Sequence, residues 1–265
     1  MVDFISGLQG KTVVIKFGGN AMVDSELVAG FAKDVAYLAK AGVRVVVVHG
    51  GGPQISRALE NAGIPNEFID GLRVTSKEAT SVIKKVLRDE ISNPLAELIS
   101  SFDVPAVVLD GSCMEAKVTK PELGFVGEIV SVTREHFEKF LEANQVPVIA
   151  TIAPDSQGDL VNVNADLAAA SVAVSLNAAV LLVLTDVEGL YLNWPDKSSL
   201  VNEISSIELE ELLPSLESGM IPKMQGCLSA VQNGVGYAQI IDGSKLHAIR
   251  NLVSSSVPMG TRVNK

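Results

Sequence analysis

Two apolar runs that each end abruptly in consecutive glycines constrain this chain more than any other feature. The first is Val13-Val14-Ile15-Lys16-Phe17-Gly18-Gly19-Asn20, and the second is Val45-Val46-Val47-Val48-His49-Gly50-Gly51-Gly52-Pro53. Runs rich in β-branched residues favour strands buried on both faces, the habit of a parallel sheet. Glycine lets a backbone approach a ligand closely, and a helix that starts just after it offers free N–H groups. Two such turns imply a phosphate cradle built from two loops. The sequence contains neither the G-x-x-x-x-G-K-[ST] loop nor the G-x-G-x-x-G dinucleotide fingerprint, so a single-loop solution is excluded.

The rest of the chain alternates strands with helices. Buried strands are expected at 12–17, 43–48, 104–109, 146–151 and 179–185, with shorter ones at 239–241 and 261–263. Helices are expected at 25–41, 54–62, 77–101 (disturbed at Pro94), 135–143, 165–176, 206–213 and 220–233. Two hairpins interrupt the alternation, one at 67–75 turning at Asp70-Gly71 and one at 115–132. This pattern predicts an α/β fold with a mostly parallel central sheet sandwiched between helices. Ligands in such sheets sit at the carboxyl ends of the strands, where both glycine turns fall.

Composition narrows the function classes. At 265 residues the chain can bury a large core, as one domain or two packed lobes. Hydrophobic residues make up 47%, which argues against disorder, and a net charge of −10 argues against a nucleic-acid surface. An acidic protein that binds an acidic ligand must concentrate positive charge locally, so lysines beside glycines become informative. Two cysteines, Cys113 and Cys227, show no metal spacing and read as core residues of a reduced, cytoplasmic protein. Residues 1–6 lack the pattern of a signal peptide. The apolar stretch 167–184 has the hydropathy of a membrane span, but Ser171, Ser175 and Asn177 interrupt it. It reads instead as a buried helix followed by a buried strand.

Several residues are candidates for chemistry. Lys16 ends an apolar strand directly before two glycines, which suits a charge clamp on phosphate oxygens, although a lysine there can also snorkel to solvent. His49 reads as structural more readily than as a general base. Arg73, in Gly71-Leu72-Arg73-Val74-Thr75, can grip a carboxylate bidentately or lie on a surface strand. Asn162-Val163-Asn164-Ala165-Asp166 leads into the alanine-rich helix, so Asp166 is either a helix-start residue or a carboxylate that orients lysines. Thr185-Asp186-Val187-Glu188-Gly189-Leu190-Tyr191 forms a polar turn at a strand end, suited to a nucleotide. Gly219-Met220-Ile221-Pro222-Lys223 opens a helix and offers a second lysine near helix N–H groups.

These motifs, in this order and over nearly the whole chain, resemble the amino acid kinase family. Leu123-Gly124-Phe125-Val126-Gly127-Glu128 and His49-Gly50-Gly51-Gly52-Pro53-Gln54 belong to the likeness. The resemblance implies ATP-dependent phosphorylation of the side-chain carboxylate of N-acetyl-L-glutamate, a step of arginine biosynthesis. It implies that Lys16 and Lys223 neutralise the transferring phosphoryl group while Asp166 holds both. Backbone N–H groups at Gly18, Gly19, Gly51 and Gly52 would meet phosphoryl oxygens. Arg73, Asn162 and Asn164 would hold the amino acid. Asp186, Gly189, Leu190, Tyr191, Gly219 and Met220 would lie along the nucleotide. Mg²⁺ would come with ATP, held mainly by phosphates and water, with no dedicated metal cluster. Residues 1–177 would form the lobe for substrate binding and dimerisation, and residues 178–265 the ATP lobe, with the hairpins as lids.

The resemblance also carries a departure. Hexameric, feedback-inhibited members have a longer N-terminal helix, and Met259-Gly260-Thr261 stands where arginine-sensitive members tend to have Gly-x-Gly-Thr. The expectation is an arginine-insensitive homodimer with no nucleic-acid or membrane partner. Two alternatives share the residues: a kinase for carrier-linked aminoadipate or glutamate, and a non-catalytic nucleotide or amino acid sensor.

Overall fold

The computed structural model describes residue 5, residues 7–69 and residues 71–265. Most of the stretch read for a leader, and Asp70 of the expected first hairpin turn, lie outside the described residues. Eight strands form the main sheet. Its order is Glu203–Ser205, Thr261–Asn264, Tyr237–Asp242, Val180–Thr185, Thr12–Phe17, Arg44–His49, Val146–Ala150 and Ala106–Leu109. Neighbours run parallel except where Thr261–Asn264 pairs antiparallel with Tyr237–Asp242. The predicted sandwich is thus the observed architecture.

Strand periodicity sorts the core into two layers. Val13, Ile15 and Phe17 pack on one face with the helix Ser25–Lys40 and the long helical segment beginning at Lys77. Val14 packs on the other, with the helices Ala165–Ser175 and Ile221–Gln232. Because successive side chains alternate, Lys16 falls on the same face as Val14. It is therefore delivered beneath the very helices that carry Asp166 and Lys223. The stretch 167–184 resolves as expected into a buried helix and a buried strand. Among the described residues no helix is long and apolar enough to cross a membrane.

The expected long helix at 77–101 is continuous but changes pitch. An α-helical part, Lys77–Lys85, passes into a π-helical turn, Val86–Ser92, and returns to α over Asn93–Ser100. Pro94 has no N–H to give to the preceding turn and its ring crowds that turn's carbonyl, so the widened turn falls just before it. Both hairpins form. Phe68–Ile69 pairs with Leu72–Arg73, and Met114–Val118 pairs with Val126–Val132. The second hairpin belongs to a four-stranded sheet with Leu160–Val163 and Ile152–Pro154. The sequence reading missed that addition, because these short runs show too few alternating positions. It also missed the short helix Ala248–Ser254.

Candidate active site

Asp166 organises the site. Asn164 caps the helix Ala165–Ser175, its Oδ1 accepting from Asp166 N at 2.9 Å and Leu167 N at 3.3 Å, so the aspartate sits in the first turn. Lys16 Nζ lies 3.1 Å from Asp166 Oδ1, and Lys223 Nζ lies 3.6 Å from Oδ2. The Lys16 contact is an ion pair without the alignment of a hydrogen bond. Lys16 and Asp166 are both buried, whereas the Lys223 side chain remains 24% exposed. Burial alone would raise the Asp166 carboxyl. The two ammonium groups overcome that and hold it below the usual carboxylate range. The result is two cations fixed side by side by one anion, a cluster of net positive charge.

The glycine turns close on this charge. Gly50 N donates to Phe17 O at 3.2 Å, which ties the second turn to the first strand. Gly51 sits at the start of the helix Gly52–Asn61 and has no side-chain cap. A Cβ at Gly51 would stand 2.5 Å from Ile91 Cδ1 and 2.9 Å from Leu87 Cδ2, so a side chain there would require these two side chains of the π-helical turn to shift. In the first turn Gly19 has φ +75°, and a Cβ there would lie 2.8 Å from Asp186 Oδ1. The Asp186 carboxylate accepts from Asn20 N at 3.1 Å and from Asn20 Nδ2 at 3.3 Å. Asp186 therefore braces the first turn.

His49 is fully buried. Gly50 O can only accept, so Nδ1 carries the proton and donates to it at 2.8 Å, and Nε2 takes the Ser92 hydroxyl at 2.6 Å. Leu87 O, 2.9 Å from the same hydroxyl, is its alternative acceptor. Burial lowers the His49 pKa to about 4, which keeps the ring neutral and structural. Burial likewise pushes the Cys113 and Cys227 thiols up, and both are free.

Arg73 stands over the second turn. Its Nη2 donates to Gly52 O and Ser56 Oγ, each at 3.1 Å, Nη1 donates to Asn66 Oδ1, and the guanidinium lies over the Phe68 ring at 4.6 Å. Asn162 is partly exposed, and its Nδ2 donates to Thr75 Oγ1. A cleft of about 350 Å³ opens among these elements, lined by Leu72, Gly127, Asn164, Ser218, Ile221 and Pro222.

The structure thus brings Lys16, Asp166, Lys223 and the first turn together, with Arg73, Asn162 and Asn164 bordering the same region. Asn164, expected to hold the amino acid, has its Oδ1 engaged as a helix cap. Gly189 and Leu190 pack against Thr261, whose Oγ1 accepts from Leu190 N at 2.7 Å, and the Leu190 side chain is core. Tyr191 is buried with its hydroxyl on Glu188 at 2.9 Å. Gly219 and Met220 lead into the helix that carries Lys223, and Lys223 Nζ also donates to Gly219 O at 3.2 Å. The sequence reading missed Thr75, Asn20 and Ser92 as members of the site. Thr75 had a signal, since it lies two residues beyond Arg73 on the same side of an extended segment.

The model of the amino acid kinase family matches residues 11–242. An acetylglutamate kinase from Arthrobacter sp. (strain FB24) is 47% identical over 99% of this chain and 90% of its own length. One from Bifidobacterium adolescentis is 46% identical over 99% of this chain and 86% of its own. Among solved structures, N-acetylglutamate synthase from Neisseria gonorrhoeae superposes with a TM-score of 0.87 at 23% identity, over 99% of this chain and 61% of that one. Carbamate kinase from Giardia lamblia bound to AMP-PNP gives a TM-score of 0.71 at 23% identity, over 97% of this chain and 99% of that one. At these identities the two structures speak for the fold alone. With a family model spanning most of its length and relatives near half identity from end to end, the chain belongs to the amino acid kinase family.

Proposed function

We propose that this protein is an acetylglutamate kinase: it transfers the γ-phosphoryl group of ATP to the side-chain carboxylate of N-acetyl-L-glutamate, in arginine biosynthesis. The observation that carries the reading is the Lys16–Asp166–Lys223 arrangement at the glycine turns, in a chain 47% identical to a protein of that name along 99% of its length. A carboxylate oxygen attacks γ-phosphorus, the bond to the β–γ bridging oxygen breaks, and ADP leaves with that electron pair. The acceptor is already ionised, so no general base is needed, in keeping with a neutral, structural His49. Catalysis then reduces to in-line positioning and stabilisation of charge on the transferring group.

In this reading Lys16 and Lys223 meet that charge and Asp166 fixes both. N–H groups of Gly18, Gly19, Gly51 and Gly52 take phosphoryl oxygens, and the Arg73 fork holds the α-carboxylate. Asn162, beside Asn164, faces the acceptor amide, while Asp186, Tyr191, Gly219 and Met220 border the nucleotide. Among the described residues no cluster of three or more His, Cys, Asp or Glu is spaced to hold a metal. Mg²⁺ would come with ATP, held mainly by phosphates and water, and would lend positive charge to the phosphates. The acceptor belongs to residues 1–177 and ATP to residues 178–265. In support, the strands of each span are contiguous in the main sheet and meet where Thr12–Phe17 pairs with Val180–Thr185. The reading includes a cytoplasmic homodimer insensitive to arginine.

The test is ADP release from ATP and Mg²⁺ with N-acetyl-L-glutamate against free glutamate, with hydroxylamine to trap the acyl phosphate. Turnover and hydroxamate that depend on the acetylated substrate support the reading. A folded protein that binds ATP without such turnover overturns it.

A further inference from the structure

Thr75 is fully buried, yet it carries a hydroxyl. That hydroxyl donates to Arg73 O at 3.0 Å and accepts from Asn162 Nδ2 at 3.3 Å. The main chain of Thr75 is engaged as well. Thr75 N donates to Leu123 O at 2.9 Å, and Phe125 N donates to Thr75 O at 2.8 Å. Phe125 O in turn accepts from Asn162 N at 2.9 Å. Arg73, Asn162 and the hairpin that carries Phe125 therefore meet at one residue. A valine would fill the same space and keep the β-branched shape, so packing alone does not account for a buried hydroxyl.

We infer that Thr75 is a positioning residue that sets acceptor specificity. It fixes the Asn162 amide relative to the Arg73 backbone, so that the two ends of the acceptor are read at one spacing. The same residue joins that spacing to the Met114–Val118 and Val126–Val132 hairpin. The inference rests on the acceptor roles proposed for Arg73 and Asn162. The hydrogen bonds of Thr75 described above run to Arg73, Leu123, Phe125 and Asn162, so its contribution falls on acceptor binding and leaves phosphoryl transfer alone. A fixed spacing also discriminates by length, so N-acetyl-L-aspartate, one methylene shorter, is the informative rival acceptor.

The experiment is steady-state kinetics of Thr75→Val and Thr75→Ser. In Thr75→Val the KM for N-acetyl-L-glutamate rises roughly three- to tenfold, the loss of one or two hydrogen bonds, while kcat and the KM for ATP stay within about twofold. Its preference for N-acetyl-L-glutamate over N-acetyl-L-aspartate, taken as a ratio of kcat/KM, falls. Thr75→Ser keeps the hydroxyl and loses only packing, so it keeps the native acceptor KM even with a lower Tm. A raised acceptor KM in Thr75→Ser overturns the inference, and this variant decides the matter if Thr75→Val does not fold. Arg73→Lys and Asn162→Ala, run alongside, separate the two levels. If neither raises the acceptor KM, the proposed acceptor site fails. If both do and folded Thr75→Val does not, the role of Thr75 alone is overturned.

Discussion

Gly226 rests directly on Asp166: a Cβ at position 226 would stand 2.9 Å from the Asp166 carbonyl oxygen and 3.2 Å from its carbonyl carbon. Gly226 lies one turn beyond Lys223 on the helix Ile221–Gln232, so this close approach sets how near Lys223 comes to the carboxylate. The Gly226→Ala substitution must push the two helices apart. Alanine has the higher helix propensity, so the local helix gains while the catalytic geometry loses. The expected result is an intact fold by circular dichroism and a kcat reduced roughly tenfold, because a small misplacement of a charge is costly in the transition state. Unchanged kcat would mean that the helix spacing does not position Lys223.

Asp166 itself is the sharper case. It is a buried anion with two cations, and Asp166→Asn leaves Lys16 buried without its counter-charge. Removing one partner of such a buried pair costs about 3–5 kcal/mol in stability. It also frees both ammonium groups from their fixed positions, so kcat should fall by about 100-fold, the scale seen when preorganised charge stabilisation is lost. Urea unfolding and kcat measured on the same preparation test the two parts separately. A variant of native stability and native kcat would remove Asp166 from the role given to it.

The features legible in the sequence were local ones. Apolar runs ending in glycines marked the strands Thr12–Phe17 and Arg44–His49 because burial and turn chemistry are written in adjacent residues. Lys16 was legible for the same reason. Its pairing with Asp166 and Lys223 is a contact between distant segments; the residues alone left Asp166 as either a helix-start residue or a carboxylate that orients lysines, and the resemblance to a family favoured the second. Asn164 shows the opposite difficulty: a side chain at a helix start has two uses, and the sequence did not say that capping takes it. The π-helical turn Val86–Ser92 was marked only indirectly by Pro94, and its fit over Gly51 was not marked at all. Asp186 was read as bordering a nucleotide, whereas its brace on Asn20 depends on how two strand ends meet.

His49 makes a prediction about pH. Its pKa falls from 6.5 to about 4 on burial, so the unfolded chain binds the proton more readily than the native one. Stability is then complete above pH 6.5 and is lost as pH falls from 6.5 toward 4. At ~1.4 kcal/mol per pH unit, the shift to about 4 corresponds to a loss of about 3 kcal/mol across that window. Urea titrations between pH 7 and pH 4 should show this slope, and His49→Gln, which cannot titrate, should flatten it whatever its absolute stability. An equal slope in His49→Gln would assign the pH dependence to other groups.

Gly19 tests the first turn. Its φ of +75° lies in the left-handed region, where any other L-residue costs about 1–2 kcal/mol. A methyl group there also meets Asp186 Oδ1 at 2.8 Å, so the carboxylate must shift, which disturbs its bonds to Asn20. Both effects distort the backbone that, in the proposed reaction, faces the phosphates of ATP, and neither reaches Arg73 or Asn162. Gly19→Ala should therefore raise the KM for ATP by roughly tenfold, in line with its strain, and leave the KM for N-acetyl-L-glutamate near its native value. Asp186→Asn keeps an acceptor for Asn20 N and leaves Gly19 in place, so its effect on ATP should be the smaller of the two. An Asp186→Asn defect as large as that of Gly19→Ala would show that the carboxylate's charge, and not the turn's conformation, governs nucleotide binding.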